Sequence, residues 1–230
     1  MDKFLFGILP YLSVSILIIV SILRYRLHRF SFSSLSSQFL ENRVHFWAMV
    51  PFHYGLIVVL LGHVMAFLIP RQILMWNAHP LRLFILETTA LAFGLLTLVG
   101  IVGVMIRRGV HSKVRITTNV TDWILYVLLF LQIVSGIGVS IFMNWGASWF
   151  ASSMSPYLWS LVKLEPEINF VSPMPFLVKF HIVTAYLTLL IFPLTRLVHI
   201  LVVPLHYFVR QFQVVRWNYR KYPLEGEKHG

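Results

Sequence analysis

Five long apolar runs separated by short polar stretches dominate the chain, at roughly 4–23, 46–69, 83–106, 121–143 and 177–203. Each approaches the ~20 residues an α-helix needs to cross ~30 Å of hydrocarbon. The pattern predicts an all-α integral membrane bundle of five transmembrane helices. The first run starts almost at Met1 and further spans follow it, so it reads as a retained helix rather than a cleaved signal. The longest polar connection, 144–176, carries Trp145, Trp149 and Trp159 and predicts irregular structure or a short interfacial helix at headgroup depth. Glycines inside the runs (Gly55, Gly62, Gly94, Gly100, Gly103, Gly136, Gly138) permit close helix approach, or room for a flat cofactor. Residues 210–230 read as a polar tail.

Composition sharpens this picture. Charged residues make up 12% of the chain, against about 25% in an ordinary soluble domain. The net charge of +11 is not a nucleic-acid signature, because it is distributed by side. Arg24, Arg26, Arg29 and Arg43 fall in one loop, and Arg107, Arg108, Lys113 and Arg115 in another. Arg210, Arg216, Arg220, Lys221 and Lys228 fall in the tail, which completes thirteen of the nineteen basic residues on one side. Only Lys3, Arg71, Arg82, Lys163 and Lys179 lie on the other. The positive-inside rule then places the N-terminus outside and the C-terminus in the cytoplasm, and an odd number of spans agrees. There are no cysteines, which excludes disulfides, cysteine-ligated metals, iron–sulfur clusters and covalently tethered haem.

The chemistry lies in four histidines placed where imidazole is rarely found. His53 and His63 sit in the second run, His181 and His199 in the fifth. Antiparallel spans pair them by depth, His53 with His199 and His63 with His181. In straight helices the two separations would be about 15 Å and about 27 Å, which suggests two sites ~21 Å apart along the membrane normal. Two haems, each held by one histidine from each helix, suit that arrangement, since neutral imidazole is a normal axial ligand. The fit requires help from tilt and from a kink at Pro193, because ten residues leave His53 and His63 about 80° apart around their helix. Hydrogen-bonded structural histidines and a proton or ion pathway remain open on these residues alone. His28, His45, His79, His111, His206 and His229 read as solvated or interfacial. Arg196, one turn before His199 with no acid near it in its own run, calls for an anion such as a haem propionate, or snorkels to the interface.

Several stretches carry a family resemblance: "FHYGLIVVLLGH", "RRGVHSKVRITTNVTDWIL", "KFHIVTAYLTLLIFPLTRLVHILVVPLHYFVRQFQVVR" and the early "LRYRLHRFSFSSLSSQFL". They resemble the gamma (cytochrome b) subunit of membrane-bound respiratory nitrate reductase, over nearly the whole chain to about residue 217. The resemblance implies a dihaem transmembrane cytochrome b domain over 1–209 and a cytoplasmic tail over 210–230, in the cytoplasmic membrane. It implies two b-type haems, with His53 and His199 holding the cytoplasmic-side haem and His63 and His181 the outer one. It further implies quinol oxidation near the outer haem, and delivery of electrons to a cytoplasmic iron–sulfur subunit and then a molybdenum catalytic subunit. In that family a basic residue opening the third span, usually lysine, is linked to the quinol site. Arg82 in "HPLRLFILE" is the nearest match, and there the sequence departs from the family.

Quinol oxidation releases protons as well as electrons, so an acceptor must lie beside the outer site. Glu87, about a turn beyond Arg82, is a candidate base, or else simply the partner of Arg82. Two other roles remain: a related cytochrome b of a nitrite-oxidising or sulfur-cycle complex, and a membrane anchor or ion pathway without redox function.

Overall fold

A computed structural model describes residues 1–28, 31–32 and 43–202, with Arg43 described by its backbone alone. The expected tail at 210–230, together with His206 and His229, lies outside the described residues. The first apolar run enters through a wide π-helical turn over Lys3–Ile8 and continues as α1, Leu9–Leu27. The second run forms α2, Arg43–Leu68, and a short helix α3, Pro70–Asn77, follows it. The third run is α4, Pro80–Val110; the short α5, Ser112–Ile116, leads to the fourth, α6, Val120–Phe142. Two brief helices, α7 (Gly146–Trp149) and α8 (Ser155–Val162), flank a π-helical turn at Phe150–Met154. The fifth run begins as α9, Phe176–Ile191. Five segments are long and apolar enough to cross a membrane, as expected, and the described residues include no strand.

The fifth run departs from the expected single helix over 177–203. The α-helix stops at Ile191, Phe192–Leu194 form a 3₁₀ turn, and Thr195 is extended (φ −106°, ψ −176°). A 3₁₀ helix over Arg196–Val202 then carries His199. Pro193 is the cause: it has no N–H to give, and its ring crowds the carbonyl four residues back. A break inside hydrocarbon exposes main-chain oxygens that need donors. Arg24 at the end of α1 provides them, giving Nη1 to the oxygens of Pro193 (2.6 Å) and Thr195 (2.9 Å). The Thr195 hydroxyl closes the turn on the Phe192 oxygen at 2.9 Å.

Helix packing runs in the order α2, α4, α6, α9, α1. The α2–α4 crossing is the closest, because glycine backbones meet there. A Cβ on Gly100 would overlap the Phe52 backbone, and one on Gly55 would overlap Thr97 and the Phe93 oxygen. Ala48, Phe52, Ile101, Val104, Leu125 and Leu129 fill the space between α2, α4 and α6. The helices bearing three of the four histidines, α2 (His53, His63) and α9 (His181), are thus separated in the packing order and share no extensive contact with each other.

The 144–176 connection contains short helices, in line with the expectation, and closes the end of the bundle opposite Arg24. Ser155 donates to the Ala66 oxygen at 2.7 Å, and the Trp159 indole donates to the Phe67 oxygen at 3.0 Å. Both acceptors belong to the last turn of α2, whose carbonyls have no helical partner. Trp159 also stacks on Phe67, with ring centres 4.9 Å apart. Tyr157 is fully buried, donates to the Phe6 oxygen at 2.8 Å and receives the Tyr186 hydroxyl at 3.1 Å. Burial pushes its phenol up to about 12.

Candidate cofactor site

Three of the four histidines are oriented by their own helices. His53 places Nδ1 2.8 Å from the Met49 oxygen, His63 2.8 Å from the Val59 oxygen, and His199 2.6 Å from the Arg196 oxygen. A carbonyl oxygen can only accept, so each Nδ1 carries the hydrogen, and in the neutral ring Nε2 then holds the lone pair. That tautomer is the one that can bind a metal through Nε2, with the other ring nitrogen held by the protein.

His181 reaches the same tautomer through a different helix. Its Nδ1 lies 2.9 Å from the Ser135 hydroxyl, and its Nε2 lies 3.2 Å from the side-chain nitrogen of Gln132. The imidazole fits against α6 because residue 136 is glycine: a Cβ there would stand 2.9 Å from His181 Cε1.

His63 and His181 come together, with ring centres 6.4 Å apart and planes inclined by 41°. With metal–nitrogen bonds of about 2 Å on either side, two imidazoles sharing one ion put their ring centres roughly 6 Å apart. Phe150 packs edge-on against His63, with ring centres 5.3 Å apart. His53 and His199, the other depth-matched pair, make no ring contact with each other; the break after Ile191 takes His199 off the helical path assumed for it. Among the described residues no group of three or more histidine, cysteine or acidic side chains could hold a metal. An iron already held by a porphyrin needs only two axial ligands from the protein.

Arg196 has its anion across the bundle. Its Nε lies 2.8 Å from Asp122 Oδ1 and its Nη2 donates to the Thr117 oxygen at 2.7 Å. The carboxylate of Asp122 also accepts the Asn119 main-chain N–H at 3.1 Å, within a capping box that starts α6. The propionate expected for Arg196 is therefore not needed to neutralise it. Arg82 is exposed, with its guanidinium 5.2 Å from the centre of the Trp76 ring. Glu87 is half-buried and accepts the Ala147 N–H at 3.3 Å, so it ties α4 to the start of α7 and makes no ion pair with Arg82.

The sequence profile of the family described as nitrate reductase gamma subunit matches residues 2–218. This chain belongs to that family. It is 31% identical over 219 residues to the nitrate reductase gamma chain of Bacillus subtilis (strain 168), covering 93% of this chain and 97% of the relative. The respiratory nitrate reductase 2 gamma chain of Escherichia coli (strain K12) is 28% identical over 94% of this chain and 97% of its own length. A longer relative, the nitrate reductase-like protein NarX of Mycobacterium tuberculosis (strain CDC 1551 / Oshkosh), is 27% identical over 94% of this chain, which spans 34% of it. The chain is thus the multi-pass membrane subunit of an oxidoreductase complex, a nitrate reductase.

Several residues that shape the site in this gamma subunit were not evident from the pattern of apolar runs. Asp122 could have been read from "NVTD", where asparagine and an acid three residues apart open a helix. Gln132 and Ser135 are polar positions inside the fourth apolar run, which in lipid implies partners on a neighbouring helix. Arg24 reads as a loop cation, and nothing local indicates that its partner lies 169 residues away.

Proposed function

We propose that this gamma subunit takes electrons from quinol at the end of the bundle closed by α7 and α8 and passes them to a cytoplasmic iron–sulfur subunit, which feeds a molybdenum catalytic subunit. The basic end, with Arg24, Arg107, Arg108 and Arg115, faces the cytoplasm by the positive-inside rule, in the cytoplasmic membrane. Two b-type haems, held by His63 with His181 on the outer side and by His53 with His199 on the inner, supply one-electron transfer across the bilayer when bound. The observation that carries the reading is the 6.4 Å approach of His63 to His181 between helices that otherwise barely touch. Main-chain oxygens hold Nδ1 of His53, His63 and His199, which leaves Nε2 as the ring atom free to ligate and supports the same assignment.

The chain's own residues serve the substrate at the outer end. Arg82 donates hydrogen bonds to a quinol oxygen as negative charge develops on it, and the Trp76 ring supports the guanidinium from one face. Glu87 accepts a proton released there, and its bond to the Ala147 N–H holds the carboxylate in place. Asp122 keeps Arg196 fixed one 3₁₀ turn before His199, whose Nδ1 is held by the Arg196 oxygen.

Haem content tests the reading. The purified chain should carry two haems, and acid–acetone should extract both, since no cysteine can tether them. One haem or none per chain would overturn it.

A further inference from the structure

His181 differs from the other three histidines in a way the pairing does not require. His53, His63 and His199 each bond a carbonyl of their own helix, so their orientation is local. His181 is held on both ring nitrogens by α6. The Thr184 hydroxyl, whose one hydrogen also has the Phe180 and His181 main-chain oxygens at 3.0 Å, lies against Gln132 Oε1, and the amide's NH₂ group faces His181 Nε2. The Ser135 hydroxyl donates to the Gln132 main-chain oxygen at 3.0 Å, which leaves its lone pairs for His181 Nδ1–H. Ser135 and Thr184 are both buried. With the amide in that orientation the donors and acceptors of the network match.

From this network we infer that Ser135 and Gln132 are positioning residues for His181 that act on the outer haem with opposite signs. The inference rests on the haem reading above. Ser135 fixes the ligand tautomer, and by accepting the Nδ1 hydrogen it strengthens electron donation from Nε2. A stronger donor favours ferric iron, so Ser135 holds the outer haem's midpoint potential down. Gln132 donates to the same atom that an iron would use, so amide and iron compete for Nε2. His53 and His199 also give their Nδ1 hydrogens to acceptors, main-chain oxygens of their own segments, whereas Ser135 and Gln132 act on the outer ligand His181. The outer haem's potential would then depend in part on one serine of a helix that carries no ligand.

Haemin titration and redox potentiometry on the full chain with its copurifying subunits test this, with paramagnetic resonance used to separate the two haems. Ser135→Ala should weaken outer haem binding by about 10–100-fold and raise its midpoint potential, with the inner haem unmoved. Ser135→Thr, which restores a hydroxyl, should recover both. Gln132→Leu removes the competing donor and should tighten outer haem binding about fivefold, the worth of one ordinary hydrogen bond. A purely structural role would weaken binding in both Ser135→Ala and Gln132→Leu and would leave the potential in place. Two haems in the wild type with that outcome, or with unmoved variants, would overturn the inference and leave the function standing. A wild type without haem would overturn both.

Discussion

Arg24 donates to the main-chain oxygen of Pro193 across 2.6 Å and so joins the end of α1 to the break in the fifth span. The same nitrogen reaches the Thr195 oxygen at 2.9 Å, while Nε and Nη2 are held by Ser31. A planar guanidinium can meet these acceptors together, and a lysine ammonium would not match the same fork. Arg24→Ala should therefore destabilise the chain by about 2 kcal/mol, with Arg24→Lys recovering only part. Thermal denaturation in detergent checks the stability. Haem retention checks a second consequence: the 3₁₀ segment bearing His199 should loosen, and the inner haem should be lost before the outer one.

His199→Ala should remove the inner haem and spare the outer. Quinol should still reduce the remaining haem, while electron delivery to the partner stalls. Optical spectra of quinol-reduced membranes and quinol-to-nitrate turnover give the two readings. Normal turnover in the variant would exclude His199 as a ligand.

Arg82→Ala should slow quinol oxidation with both haems retained, and Arg82→Lys should keep much of the rate. The cation stands exposed over Trp76 and holds no structural ion pair, so its removal should scarcely change stability. Titration with a quinol analogue, followed at the outer haem, should show weakened binding in Arg82→Ala. Unchanged affinity and turnover would remove Arg82 from the site.

Tyr157 predicts an alkaline limit on stability. Its phenol is raised to about 12 by burial, above the ordinary value of 10.0. A raised folded value means that its contribution is complete below pH 10 and is lost as pH climbs toward 12. Tyr157→Phe should lower the melting temperature near neutral pH and flatten the decline over that alkaline window. Ultraviolet difference titration should show a late-ionising tyrosine in the wild type that Tyr157→Phe lacks.

How much could be read in advance follows from the range of the forces involved. The five spans were legible because hydrocarbon thickness sets a length that the chain must satisfy locally. The meeting of His63 with His181 agrees with the depth pairing, which did not bring His53 to His199 because the second of these lies beyond the break in the fifth span. Two features were not legible. Pro193 announced a disturbance, but whether it would kink or break the span depended on Arg24, a donor from another helix. Arg196 lacked an acid in its own run, and Asp122 supplies it from the start of α6. Partners chosen across a bundle leave no periodic signal in either segment.

The final turn of α2 has a biosynthetic consequence. The two carbonyl oxygens at Ala66 and Phe67 are satisfied by Ser155 and Trp159, residues made 89 and 92 positions later. During synthesis the second span therefore leaves the ribosome before the donors for its far end exist. His181 emerges later still. On the proposed reading, a haem shared by His63 and His181 would thus be bound only after the fifth crossing has been made, since one of its two ligands lies there.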